Sequence, residues 1–195
     1  MTRMAAEILL GLLVMSWSGA AGAQTGQPLE QYLSGPRGPY RGRVLDAETR
    51  KPLASVVVVV VWRRDRVMPF HSKSEHYAAR EALTNADGEF VIDADDVERN
   101  APKRTLRPFF TIFRPGYGRP RATAGTHTTV THRYYEGPGT TVELPKLKSK
   151  DERRAHLRKI DLYGAPFAEI PEFTRLINEE RVMLGLEPYS HSGKH

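Results

Sequence analysis

The apolar positions of this chain fall in short blocks separated by polar and turn-forming residues. The densest block is Val56 to Val61, six consecutive valines closed by Trp62. Valine is stiff at χ1 and favours a pleated backbone, and successive strand residues point to opposite faces. A strand apolar on both faces has to lie inside the protein, so the run predicts the central strand of a β-sandwich. Before it, Tyr40-Arg41-Gly42-Arg43-Val44-Leu45 predicts a first strand. The polar stretch Asp46-Ala47-Glu48-Thr49-Arg50-Lys51, ended by Pro52, predicts the turn of a hairpin into the valine strand.

After Trp62, Arg63-Arg64-Asp65-Arg66 reads as emergence into water, and residues 67–74 read as a longer loop. A third strand is expected over residues 77–84. Asn85-Ala86-Asp87-Gly88 then supplies a turn with glycine where φ must be positive, leading into Glu89-Phe90-Val91-Ile92 as the second strand of another hairpin. Phe90 and Ile92 share one face of that strand. The polar segment 93–104 reads as irregular. Residues 106–113 form a strand with Phe109, Thr111 and Phe113 on one face and Phe110 and Ile112 on the other, and Thr140-Thr141-Val142-Glu143-Leu144 is the last strand. Beyond Pro145 the period changes. Leu157 and Ile160 predict a helix over 150–162, and Phe173, Leu176, Ile177 and Met183 a second one starting at Pro171. The fold class expected is an all-β sandwich with a C-terminal α-helical extension, divided as a sandwich over 40–145, helices over 146–188 and a disordered tail over 189–195.

The first residues stand apart from this pattern. Arg3, the apolar run 8–17 and the small residues Ser18-Gly19-Ala20-Ala21-Gly22-Ala23 have the layout of a secretory signal peptide, residues 1–23, followed by a Gly- and Pro-rich linker over 24–39. No membrane span is expected after cleavage, because no second apolar stretch is long enough. A length of 195 residues with 39% hydrophobic content suits one core. The absence of cysteine excludes disulfides, thiolate chemistry and a lipobox, and export without cystine points to a bacterial envelope protein. The net charge of +6 then favours an anionic glycan or an envelope protein as partner, and export argues against nucleic acid.

The turns carry a resemblance. Arg41-Gly42-Arg43-Val44 with Asp46, Thr49, Pro52-Leu53-Ala54 and the valine strand, followed by Thr84-Asn85-Ala86-Asp87-Gly88-Glu89-Phe90 and by Phe113-Arg114-Pro115-Gly116-Tyr117, is similar to the carboxypeptidase regulatory-like domains. The resemblance covers about residues 40–117. It implies a transthyretin-like sandwich of about seven strands, acting as a non-catalytic accessory or binding module of exported proteins. Ser55 departs from the pattern where a small Gly or Ala usually stands, and so does an insertion over 67–81. No peptidase activity comes with the name, since no catalytic domain accompanies it.

Candidate chemistry lies in loops. The stretch from Arg99 to Arg121 is rich in arginine and phenylalanine, which reads as a core strand with solvated basic rims. Arg114, Arg119 and Arg121, with the aromatic loop residues Tyr134 and Tyr135, are the candidate ligand-binding residues. His71, His76, His127 and His132, together with tyrosines, are the metal-ligating candidates of an alternative reading: a hydrolase, or an enzyme like the intradiol dioxygenases. Each pair is five residues apart, which puts its members on opposite faces of a strand, and the Arg-Pro-x-His-Ile-His type of signature is missing. Asp93, Asp95, Asp96 and Glu98 read as a plain acidic loop rather than a calcium site. The preferred reading names no catalytic residue and no cofactor.

Overall fold

The computed structural model describes residues 38–67, 72–99, 106–120 and 139–189. Six strands, β1 (Tyr40–Asp46), β2 (Val57–Val67), β3 (Ser72–Leu83), β4 (Glu89–Ile92), β5 (Leu106–Phe113) and β6 (Thr140–Leu144), form two three-stranded sheets. One has the order β4-β1-β6, with β1 antiparallel to β4 and parallel to β6. The other has the order β3-β2-β5 and is antiparallel throughout. The helices are α1 (Asp95–Arg99), α2 (Lys150–Leu157) and α3 (Pro171–Met183), with a short 3-10 helix at Phe167–Glu169. None among the described residues is long and apolar enough to cross a membrane.

The valine strand is the middle strand of its sheet and divides two cores. Val56, Val58, Val60 and Trp62 point between the sheets, against Tyr40, Val44, Phe90, Ile92, Phe110 and Leu144. Val57, Val59 and Val61 point the other way, with Phe113, onto Leu157, Phe167, Ile170, Phe173, Leu176 and Ile177 of the helical segments. All six valines have no exposed surface. The molecule is therefore three layers, sheet on sheet on helices, and the helical segment is one wall of the second core.

Both expected hairpins turn out to be joints between the sheets. The polar turn does bring the chain back beside β1: Asp46 N–H donates to the Lys51 carbonyl, and Leu45 bridges Pro52. Ser55 then takes a positive φ of 56° and carries the chain into the other sheet. Likewise Thr84 stays bound to the start of β2, its hydroxyl donating to Leu53 O (2.6 Å) and accepting from Val56 N–H (2.9 Å). Gly88, at φ +74° and packed against the Val44 carbonyl, then delivers β4 to the β1 sheet. Turn chemistry reports a reversal, and these reversals join different layers.

The true hairpin is β2 with β3, running from Val57 opposite Leu83 to Val67 opposite Ser72, through the stretch expected to be loop. Its far half is polar on both faces but paired. Arg63 donates to Ser74 Oγ (3.0 Å) and to the Tyr163 carbonyl (2.9 Å), and Arg64 pairs with Glu75 at 2.8 Å. A bulge between Trp62 and Arg63 leaves Tyr77 without an opposite residue, and it packs on the inter-sheet core.

Residues 95–99, expected to be irregular, form α1. Its Glu98 closes the end of the sandwich, accepting from Tyr40 OH, Trp62 Nε1 (3.2 Å) and Gly38 N–H (3.1 Å). A tyrosine and a tryptophan can thus be buried with their polar tips satisfied. The helix expected over 150–162 stops at Leu157. It starts on a capping box, Ser149 with Glu152, and the chain is then broken by positive φ values at Tyr163 (53°) and Gly164 (83°). Residues 1–37, which cover the expected signal peptide and nearly all of the expected linker, and residues 190–195 lie outside the described residues, whereas Tyr189, expected in a disordered tail, is bonded to Asn178.

Candidate functional site

Of the residues singled out from sequence, Arg114, Arg119 and His76 are described; Arg121, Tyr134, Tyr135, His71, His127 and His132 lie outside. Arg114 follows β5 at the start of a turn made by Tyr117 N–H donating to the Arg114 carbonyl (3.1 Å), with Gly116 at φ +78°. Its guanidinium lies 5.3 Å from the centroid of the Tyr117 ring. The Tyr117 hydroxyl donates to Asp46 Oδ2 at 3.0 Å. Burial and that bond push the Tyr117 hydroxyl pKa up. The Asp46 carboxyl is held down, chiefly by the Thr49 N–H and also by the N–H of Glu48 and the Tyr117 hydroxyl. The same carboxylate thus fixes the first turn and anchors the second.

The turn is tied to the segment after β6. Gly118 N–H donates to the Pro145 carbonyl (2.8 Å) and Leu147 N–H to the Gly116 carbonyl (2.9 Å). Arg119, exposed, reaches the far end of α2 and donates to the Lys159 carbonyl. Beneath this, Arg153 Nε donates to Glu180 Oε1 at 2.7 Å, and Gly116 N–H to Glu180 Oε2 at 3.1 Å. Glu180 is 2% exposed and knits α2, α3 and the turn together.

Upon that scaffold the exposed charge is mostly of one sign. Arg119, Lys146, Lys148, Lys150, Arg158 and Lys159 are exposed along these bonded segments, whereas the exposed acids beside them are Glu48, Asp151, Glu152 and Asp161. Lys148 Nζ lies 3.9 Å from Glu48, and Asp151 faces Arg154 at 3.7 Å. Among the described residues Lys146, Lys150, Arg158 and Lys159 have no acidic partner within an ion-pair distance. Exposed cations in excess over acids attract anionic groups through their summed field. Sequence reasoning finds Arg114 and Arg119 but passes over the lysines. Their signal is the alternation Lys146-Leu147-Lys148-Ser149-Lys150, which from sequence alone looks like the charged surround of a helix.

The other candidates are used internally. His76 Nε2 lies 3.1 Å from both Glu169 oxygens, and Glu169 Oε2 also accepts Ala79 N–H at 2.9 Å. The pair clamps β3 to the 3-10 helix. Among the described residues no three His, Asp or Glu side chains gather to hold a metal ion. The acidic loop is likewise spent on the protein: Asp96 pairs with Arg80 at 2.5 Å, Asp95 with Arg99 at 2.9 Å, and Asp93 accepts Asp95 N–H. In the Arg/Phe stretch, Phe109, Phe110 and Phe113 are buried and Arg107 pairs with Asp65 at 2.8 Å, as a core strand with basic rims requires.

No family model matches the chain, and no curated protein does. Among solved structures, a 9R-lipoxygenase from Cyanothece matches at 16% identity over 71% of this chain and 22% of that one, with a TM-score of 0.23. The chain thus spans about a fifth of that protein, and an overlap this poor carries no statement about fold or activity.

Proposed function

We propose that this chain is a non-catalytic, exported module of the bacterial cell envelope, a transthyretin-like sandwich of the carboxypeptidase regulatory-like kind, and that it binds an anionic envelope glycan. The observation that carries the reading is the exposed basic surface along Arg119, Lys146, Lys150, Arg158 and Lys159, set on a scaffold whose buried Glu180 holds three segments in fixed relation. A rigid array of cations with few exposed acids attracts a polyanion through its summed field. The turn residues shared with those domains, Asp46 and Gly88 among them, support the family assignment by their roles at the joints between sheets.

Binding to immobilised polygalacturonate, with neutral dextran as control, tests this. The mature chain is expected to bind the charged polymer and to be released as salt shortens the screening length. The combined reversal Lys146→Glu, Arg158→Glu, Lys159→Glu is expected to weaken binding roughly tenfold or more, because each exposed pairing contributes a few tenths of a kcal/mol or more and each is inverted. Unchanged binding by that variant, at unchanged melting temperature, would refute the surface. Export is checked separately by fractionation and N-terminal sequencing, with Gln24 expected as the first residue of the mature chain.

A further inference from the structure

The helical layer is not close-packed throughout. Between α2, the 3-10 helix and the segment after α3 lies a cavity of about 540 Å³, whose walls include Leu157, Ile160, Leu162, Phe167, Ile177 and Tyr189. Small-molecule sites typically measure about 300–1,000 Å³, whereas a gap of packing holds a water molecule or less. Its walls are fixed. Tyr189 is fastened to α3 by a two-way pair with Asn178, N–H to Oδ1 at 2.8 Å and carbonyl from Nδ2 at 3.2 Å. Arg181 lies 4.0 Å from the ring's centroid, and the ring stacks on Phe167 at 5.4 Å. Asp161 is pinned by its carbonyl accepting Thr111 Oγ1–H (2.8 Å) and its Oδ1 accepting Tyr163 N–H (2.7 Å).

Asp161 is the one carboxylate among the lining residues, and no basic side chain lines the cavity with it. It is exposed, so it stands at the rim while the interior is aliphatic and aromatic. A carboxylate at the mouth of an apolar cavity favours a partner that brings a donor and disfavours one that brings another negative charge.

We propose that this cavity binds a single apolar small molecule, an alkyl or aryl compound whose head is a hydrogen-bond donor, a protonated amine or a hydroxyl, placed against Asp161. The site adjoins the end of the basic surface, since Arg119 lines a neighbouring pocket with Ile160 and Asp161, but its own lining carries a carboxylate and no cation and so selects the reverse of what the chain's net positive charge alone would select.

The neutral dye N-phenyl-1-naphthylamine, displaced by decylamine, decanol and decanoate below their micellar concentrations, tests the proposal on the whole mature chain. One saturable dye site is expected, with decylamine displacing the dye at roughly tenfold lower concentration than decanoate. Asp161→Asn keeps the acceptor for Tyr163 N–H and should bring the two heads to near parity. Ala165→Trp, which fills the interior, should abolish dye binding. Should that variant fail to fold, Leu162→Trp at the half-buried rim serves the same purpose. Absence of a saturable site overturns the proposal, as does decanoate matching decylamine on the unsubstituted chain, or full dye binding by a folded cavity-filling variant.

Discussion

His156 shows how one side chain is shaped by the layers it joins. Its ring stacks on Phe113 of the valine sheet, centroids 6.2 Å apart and planes at 19°, and its buried Nε2 has no hydrogen-bond partner within the described residues. Burial, and then the positive charges of Arg119 and Lys159, push its pKa down from 6.5 to about 4. A folded-state pKa below the unfolded one means that the folded protein binds fewer protons between those values. The stability this provides is complete above pH 6.5 and is lost as pH falls towards 4. A tenfold change in proton affinity corresponds to about 1.4 kcal/mol, and partial exposure keeps the total under roughly 3 kcal/mol. Urea midpoints measured from pH 7 to pH 4 should therefore fall less steeply in His156→Gln than in the unsubstituted chain. Equal slopes would show that the imidazole takes up its proton in the fold over the same pH range as in the unfolded chain.

At the scale of elements, α3 depends on a residue from another layer. Its N-cap, Ile170, supplies no side-chain bond, and the first-turn donors Glu172 N–H (2.6 Å) and Phe173 N–H (2.9 Å) are satisfied by the two oxygens of Glu81 on β3. Burial outweighs those two bonds and raises the Glu81 pKa, so its ionised form is held at some cost in the fold. On its own this group favours the fold most below its unfolded pKa, and that advantage is lost as pH rises through the folded value. Glu81→Ala should cost about 1–2 kcal/mol, the usual loss for an N-cap. Glu81→Gln should cost clearly less, since it keeps an acceptor and removes the buried charge. A glutamine variant as unstable as the alanine one at pH 7 would mean that the charge itself holds the helix.

The same elements show what could be read from the chain. Strands with an apolar stripe, β4 and β5, were legible to the residue, and Pro171 marked the start of α3. What escaped was long-range. The described residues of the expected loop over 67–74 belong instead to paired strands, and Arg63, Arg64 and Glu169 supply partners for Ser74, Glu75 and His76 from elsewhere in the chain. Nor could the Asp46 and Gly88 turns reveal that they change sheets, because the local hydrogen bonds of a corner and of a hairpin are alike. The candidate site was only partly legible: Arg119 stood out from the sequence, while Arg158 and the lysines did not, and Lys146 joins Arg119 through the pairing of residues 116–118 with 145–147.

For the molecule as a whole, the valine run decides which parts can exist alone. Divided at residue 145, the chain would keep both sheets and lose the cover on Val57, Val59, Val61 and Phe113. Exposing a fully buried side chain of this kind costs about 1.5–3 kcal/mol, so the four together approach the whole net stability of a typical domain, about 5–15 kcal/mol. The uncovered patch is also flat and β-branched, a surface that associates with copies of itself. A chain ending at residue 145 should therefore be aggregated or dimeric in size-exclusion chromatography and should lack a cooperative thermal transition, while one ending at residue 189 should remain monomeric and melt once. A monomeric, cooperatively folding 40–145 fragment would make the helices a dispensable appendage. The outward valines would then need another explanation, because a face left open to water gives no reason for three of them to have no exposed surface.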